Sequence, residues 1–386
     1  MQDSFGETLF IDTENGLAEL CEKLRGQAVL ALDTEFLREK TYYAQLCLLQ
    51  VAAEGVIACV DPLAVDLAPL LDIIYDTSVV KVMHSARQDM EIFYDLRGDV
   101  PRPLFDSQIA ATLMGFGEQV GYANLVQQML GVTLDKGATR TDWSQRPLDA
   151  EQISYAADDV RYLFMIYHQQ NEMLEKKGRL EWLQDDFDDM SDLSTYAPAP
   201  DKLWMRVRGS QKLSSPQLAV LRGLAVWRED RAQASNRPRR WMLKDEVMVD
   251  IARRSPVNLE NLAKIRGLEE RLLSRHGEVL LQVIVAAKAT DPESWPTRSQ
   301  SRRLDTGQEA VVDLLMAVLR MRGNEHDVSP ALLASRKQLE TLVLGDEDSP
   351  VLHGWRAGLA GQDLQAVLAG EKVLRVVDGK LSIVKT

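Results

Sequence analysis

The stretch ALDTEF, residues 31–36, closes an apolar run that begins at Ala28 and continues through Val29, Leu30, Ala31 and Leu32. A short run of aliphatic and β-branched residues predicts a core strand. A core strand is a costly place for carboxylates, yet Asp33 and Glu35 sit in this one. Residues i and i+2 of a strand share a face, so the two acids stand side by side and repel unless something compensates them. A divalent cation would do so. The alternative is a solvated strand tip or a pair of salt-bridge acceptors, and the hexapeptide alone leaves that choice open.

The flanking pattern frames this strand. Strand-like runs recur at 45–51 (QLCLLQV), 56–60 and 79–83, and helical patterns fill 14–25, 65–75, 87–96, 107–117, 122–130 and 150–176. Strands mixed with helices and closed by a helical tail predict an α/β domain over 1–183. A linker, 184–211, follows, acidic at first (QDDFDDMSD) and then Pro-containing (YAPAPD). Residues 212–289 read as all helical, starting at SSPQ with a Ser-Pro helix-start signal. A second polar linker, 290–306, leads to another helical part, 307–386, that ends in a hairpin around Asp378-Gly379. The two helical parts are of similar length, and the expectation is that they are diverged copies.

A length of 386 residues fits two or three domains of about 100–200 residues each. No basic start followed by an apolar core predicts an export signal, and no apolar run approaches the roughly 18 residues of a membrane span. Cys21, Cys47 and Cys59 are widely spaced and odd in number. They fit reduced thiols of a cytoplasmic protein better than disulfides or a zinc site. The net charge of −13 argues against a polyanionic partner only if charge is evenly spread. It is not: residues 204–254 hold twelve Lys/Arg against five Asp/Glu, a local +7, so a basic face is expected on an acidic chain. Within it Arg237, Arg239, Arg240 and Lys244 surround Trp241. They suit an RNA backbone, the alternative being a solvated loop with Trp241 in the core.

Two further places carry acids in suitable company. Asp89 falls in the first turn of the helix that follows strand 79–83 and the His84-Ser85 turn. By itself it is also an ordinary acid at a helix N-terminus. Tyr155 and Asp159, four apart in ISYAADDVRYL, share a helix face, whereas Asp158 is rotated away by about 100°. Alone, that pair reads equally as a core Tyr and a solvated Asp.

Taken in order, Asp33, Glu35, Asp89, Tyr155 and Asp159 resemble the DEDD superfamily of 3′–5′ exonucleases, in the branch with Tyr in its third motif. LDTEF, HSARQDMEIF, LVQQMLGVTLDKGATRTDWSQRPL and YAADDVRYL are closest to its ribonuclease D family. RPRRWMLKDEVMVDIARRSPVNLENLAKIRGL resembles the HRDC module, with 307–386 as a second, divergent copy. The resemblance implies a ribonuclease H-like exonuclease domain followed by two all-α HRDC-type domains. It implies two Mg²⁺ or Mn²⁺ ions held by Asp33, Glu35, Asp89 and Asp159, with Tyr155 orienting water. The implied substrates are structured RNAs with 3′ tails, notably tRNA precursors, cut by a monomer. Thr34, Phe36 and His84 are further candidates for substrate contact. A DNA-specific nuclease of the same fold and a catalytically silent RNA-binding scaffold are the rival expectations.

Overall fold

A computed structural model describes residues 6–117, 119–135, 141–197, 199–297 and 303–386. Part of the stretch 125–148 quoted above (136–140), position 198 of the first linker and 298–302 of the second lie outside the described residues.

A six-stranded mixed sheet organises the first domain, in the order β1 (Leu9–Ile11), β4 (Val56–Val60), β3 (Gln45–Ala53), β2 (Val29–Leu37), β5 (Val80–Met83), β6 (Leu104–Asp106). β2 is central, antiparallel to β3 and parallel to β5. Period-two alternation sorts its side chains. Leu30 and Leu32 join one core with helices α1 (Glu14–Leu24), α2 (Ala68–Ile74) and α3 (Arg87–Arg97). Ala31 joins the other, with α4 (Ser107–Leu113) and the long α6 (Ala150–Lys176); α5 (Tyr122–Leu130) packs beside them. Asp33 and Glu35 are in phase with Ala31 and therefore come to lie under α6.

β5 contains a lysine, Lys81, that is fully buried. Its ammonium donates to the main-chain carbonyls of Asp76, Val79 and Arg102. Three acceptors for three N–H groups make a buried cation tolerable, and they pin the strand that carries His84 at its end.

The acidic stretch at 184 is not a structureless linker. It forms α7 (Gln184–Met190), whose Phe187 is buried against Phe105. The expected helix at 107–117 stops at Leu113, because Gly115 and Gly117 turn the chain with φ of 86° and 93°. The first helical bundle comprises α8 (Ser215–Ser235), α9 (Arg239–Met242), α10 (Asp245–Arg254), α11 (Leu259–Ala263) and α12 (Glu270–Ala289) around its own core. The second contains α13 (Thr306–His326), α14 (Pro330–Leu333), α15 (Arg336–Val343) and, past a short turn, α16 (Gly354–Arg356) and α17 (Gln362–Leu368). It shares a hydrophobic core with the α6 side of the sheet. Trp182 and Trp355 stack across this junction at 4.8 Å, and Arg179 and Arg356 lie over their rings. The chain ends in the hairpin β7 (Lys372–Val377) and β8 (Lys380–Lys385), with Asp378 and Gly379 both at positive φ as such a turn requires. Among the described residues no helix is long and apolar enough to cross a membrane, and the three cysteines are free and buried.

Candidate active site

Three elements meet at the end of β2. β2 supplies Asp33 and Glu35, paired in register with Gln50 and Leu48 of β3, and a bulge after Glu35 ends the regular ladder. β5 runs parallel and hands over, through Ser85 at φ 60°, to α3 with Asp89 in its first turn. α6 starts at a capping box made by Asp149 and Gln152 and brings Tyr155 and Asp159 down one face.

One carboxylate oxygen each from Asp33, Glu35 and Asp159 lies within 4.8 Å of the others. These residues, with Asp89, Tyr155 and Phe36, line a cleft of about 710 Å³. Tyr155 hydrogen-bonds the Asp159 carboxylate, and its ring lies 6.2 Å from that of the buried Trp143. Asp158 faces elsewhere, paired with Arg161 at 3.1 Å.

The electrostatics are those of anions crowded into a partly buried site. Burial, then Asp159, Asp89 and Glu35, push Asp33 well above the usual carboxylate range. Burial, then Asp159 and Asp89, carry Glu35 up to about 8. Burial raises Asp159 to about 7 against the opposing Tyr155 hydrogen bond, with Asp158 adding to the rise. Asp89 reaches about 6, chiefly by burial.

This donor set fits a hard divalent cation. It is all oxygen and strongly anionic, and no Cys or His joins it. Gln50, fully buried and register-paired with Asp33, also has no hydrogen-bond partner for either amide atom among the described residues. A buried amide without partners is an expensive feature, and this one lies one strand over from Asp33.

Thr34 and His84, expected to touch substrate, line the cleft and also tie parts of the site together, whereas Arg239 is engaged away from it. Thr34 donates its hydroxyl to Asp89 and so holds that carboxylate. His84 bridges Ser107 Oγ (2.8 Å, Nδ1) and the Val120 carbonyl (3.1 Å, Nε2). A carbonyl only accepts, so Nε2 carries the proton, and burial disfavours a second one. Arg239 is not a free cation: it pairs with Glu229 at 2.5 Å and stacks on Tyr42. Phe36 lines the cleft, as Thr34 and His84 do. Arg237, Arg240 and Lys244 line a separate pocket on the first bundle beside Trp241, which is 57% exposed instead of in the core.

Sequence reading missed Tyr122, Trp143 and Gln50. Tyr122, partly buried, lies edge-on to His84 and donates to the Asp159 carbonyl at 2.6 Å, fixing this turn of α6 against α5. For Gln50 a signal existed: a lone amide inside an apolar strand.

A mixed sheet crossed by a helix, with carboxylates from both converging in an open cleft, is an arrangement suited to metal-assisted phosphodiester chemistry. A family model described as 3′–5′ exonuclease matches residues 9–175, and one described as HRDC domain matches residues 217–284. Ribonuclease D of Gluconacetobacter diazotrophicus is 41% identical over 376 residues, covering 96% of this chain and 95% of its own. That of Sphingobium indicum is also 41% identical, with 96% and 97% covered. The crystal structure of Escherichia coli RNase D, described as an exoribonuclease involved in structured RNA processing, superposes with a TM-score of 0.83. It shares 32% identity and covers 94% of this chain and 99% of that one. The chain belongs to the ribonuclease D family and is a 3′–5′ exoribonuclease.

Proposed function

We propose that the chain trims 3′ extensions from structured RNA, tRNA precursors among them, by metal-dependent hydrolysis that releases nucleoside 5′-monophosphates. The convergence of Asp33, Glu35 and Asp159 within 4.8 Å supports this reading most directly. Asp33, Glu35 and Asp159 would hold one Mg²⁺ or Mn²⁺, and Asp33 with Asp89 a second. Paired divalent cations stabilise charge on both the attacking and the leaving oxygen of a phosphodiester. The protein's own contribution is placement. Thr34 orients Asp89, Tyr122 fixes the turn bearing Asp159, and Tyr155 hydrogen-bonds Asp159; in this reading its hydroxyl would orient the attacking water. Phe36 packs beside the terminal base. Structured RNA is the substrate class given in the description of the Escherichia coli relative.

We also read residues 1–183 as the exonuclease domain, 212–289 as the HRDC domain and 307–386 as a diverged second copy. The bundles repeat one plan. Each opens on a capping box and a helix of 21 residues, ended by a non-Gly residue at positive φ, Asn236 or Asp327. A helix of four residues follows, with Pro just before it (Pro238) or at its start (Pro330), then a helix of 10 or 8. The protein acts as a cytoplasmic monomer in this reading.

The test is incubation with a 3′-tailed tRNA and with single-stranded DNA, in Mg²⁺, Mn²⁺ or EDTA. Stepwise shortening of the RNA tail, abolished by EDTA, is expected. Preference for DNA would reassign the substrate, and binding without hydrolysis in either metal would make the chain a scaffold.

A further inference from the structure

The loop between β2 and β3 leaves the catalytic strand at Leu37 and does not stay with its own domain. Arg38 pairs with Glu91 of α3 at 2.7 Å, on the helix that bears Asp89. Farther along, Tyr42 enters the first helical bundle. Its hydroxyl donates to Glu229 at 2.5 Å and accepts from Arg239 at 2.7 Å and Gln233 at 3.0 Å. The Arg239 guanidinium lies 4.4 Å from its ring centroid. The main-chain amides of Tyr42 and Tyr43 both donate to Asn236 Oδ1 at 3.1 Å. Asn236 ends α8 at φ 45°, so the left-handed cap that stops the helix also grips the loop.

The residues next to this junction are the ones that line the pocket on the bundle. Arg237 follows Asn236 and Arg240 follows Arg239. With Arg231, Lys244, Arg271 and Arg275 they face one carboxylate, Glu269, around Trp241 in a pocket of about 380 Å³. Glu246 approaches Arg240 only at 3.7 Å with both side chains exposed, which leaves the cationic excess largely uncompensated. Cations beside an exposed indole suit a flexible polyanion with stackable bases: phosphates take the charges and a base takes the ring.

We propose that Tyr42 and Asn236 form a positioning joint that holds this cationic pocket at a fixed span from the carboxylate cleft. An RNA with its 3′ end in the cleft then rests an upstream segment in the pocket. The inference builds on the exoribonuclease reading and adds to it a substrate preference: RNAs long enough to reach both sites are favoured over those that fill the cleft alone. Two contacts on one chain act together only while their separation is set, since a loose link lowers the effective concentration of the second.

The test compares the full chain with Tyr42→Ala and with Asn236→Gly. Glycine keeps the left-handed cap while deleting the side chain that grips the loop, so the second variant guards against misfolding of the first. Melting curves check the fold. Steady-state hydrolysis is read on a trinucleotide, which reaches only the cleft, and on a hairpin RNA with a 3′ tail. The joint predicts KM for the hairpin raised on the order of tenfold, kcat unchanged, and trinucleotide kinetics within about twofold. The pocket variant Arg240→Ala/Lys244→Ala should raise hairpin KM in the parent and add little in the Asn236→Gly background. Equal losses on both substrates would mean that the loop shapes the cleft itself and would overturn the proposal. So would no loss on either, or full additivity with the pocket variant. Trinucleotide hydrolysis by the unmodified chain tests the exonuclease reading separately.

Discussion

In EDTA, the melting temperature of this protein should fall as the pH rises from about 6 to about 8, and saturating Mg²⁺ should remove most of that slope. The perturbation is loss of the cation that offsets the buried acids. Without it Glu35 rises from an ordinary 4.5 to about 8, and Asp159 from 3.8 to about 7. A carboxyl whose pKa is raised by folding is protonated in the native state at a pH where the unfolded chain is ionised. The native state therefore binds more protons between the unfolded and folded values, and stability declines with pH across that window. Each excess proton is worth about 1.4 kcal/mol per pH unit. Glu35 and Asp159, titrating through about 8 and about 7 respectively, give a loss of roughly 2–4 kcal/mol once their coupling is discounted. That corresponds to a drop of about 5–15 °C for a domain of this size. Differential scanning fluorimetry at matched ionic strength, with EDTA and with Mg²⁺, reads it directly. Asp159→Asn should flatten the EDTA slope. A melting temperature that is constant or rises with pH in EDTA, or an equal slope in both conditions, would refute the electrostatic account of the cluster.

Asp159→Asn should abolish turnover, while Asp158→Asn, which breaks only the contact to Arg161, should retain most of it; single-turnover rates on a tailed RNA decide, and equal losses would contradict the helix phase. Tyr155→Phe keeps its packing on Trp143 but loses the hydroxyl, so kcat should drop by about 10²–10⁴-fold with RNA binding intact; a rate within twofold of the parent would remove Tyr155 from the chemistry. Lys81→Met leaves three main-chain carbonyls without their charged donor, only that of Val79 belonging to a buried residue, and should destabilise the domain by about 1–3 kcal/mol in urea titrations; an unchanged midpoint would show that those carbonyls find other partners.

Much of the site was legible in the sequence, because its signals are short-range. Period-two spacing put Asp33 and Glu35 on one face, helical spacing separated Asp159 from Asp158, and Asp378-Gly379 specified a hairpin by its backbone preference. Tertiary structure decided the rest. β1 and β6 have three residues each, too few for any periodicity, and exist because β4 and β5 offer them open edges. The acidic stretch at 184 became a helix because Phe187 found a core assembled from distant segments. Thr34 orients Asp89, 55 residues away, and Arg239 serves Tyr42 from 197 residues away. Charge composition cannot tell an arginine that meets solvent from one that meets a buried glutamate. Local sequence limits what a backbone can do, but the partner of a polar group depends on which distant segment arrives beside it, and that is set only when the chain packs.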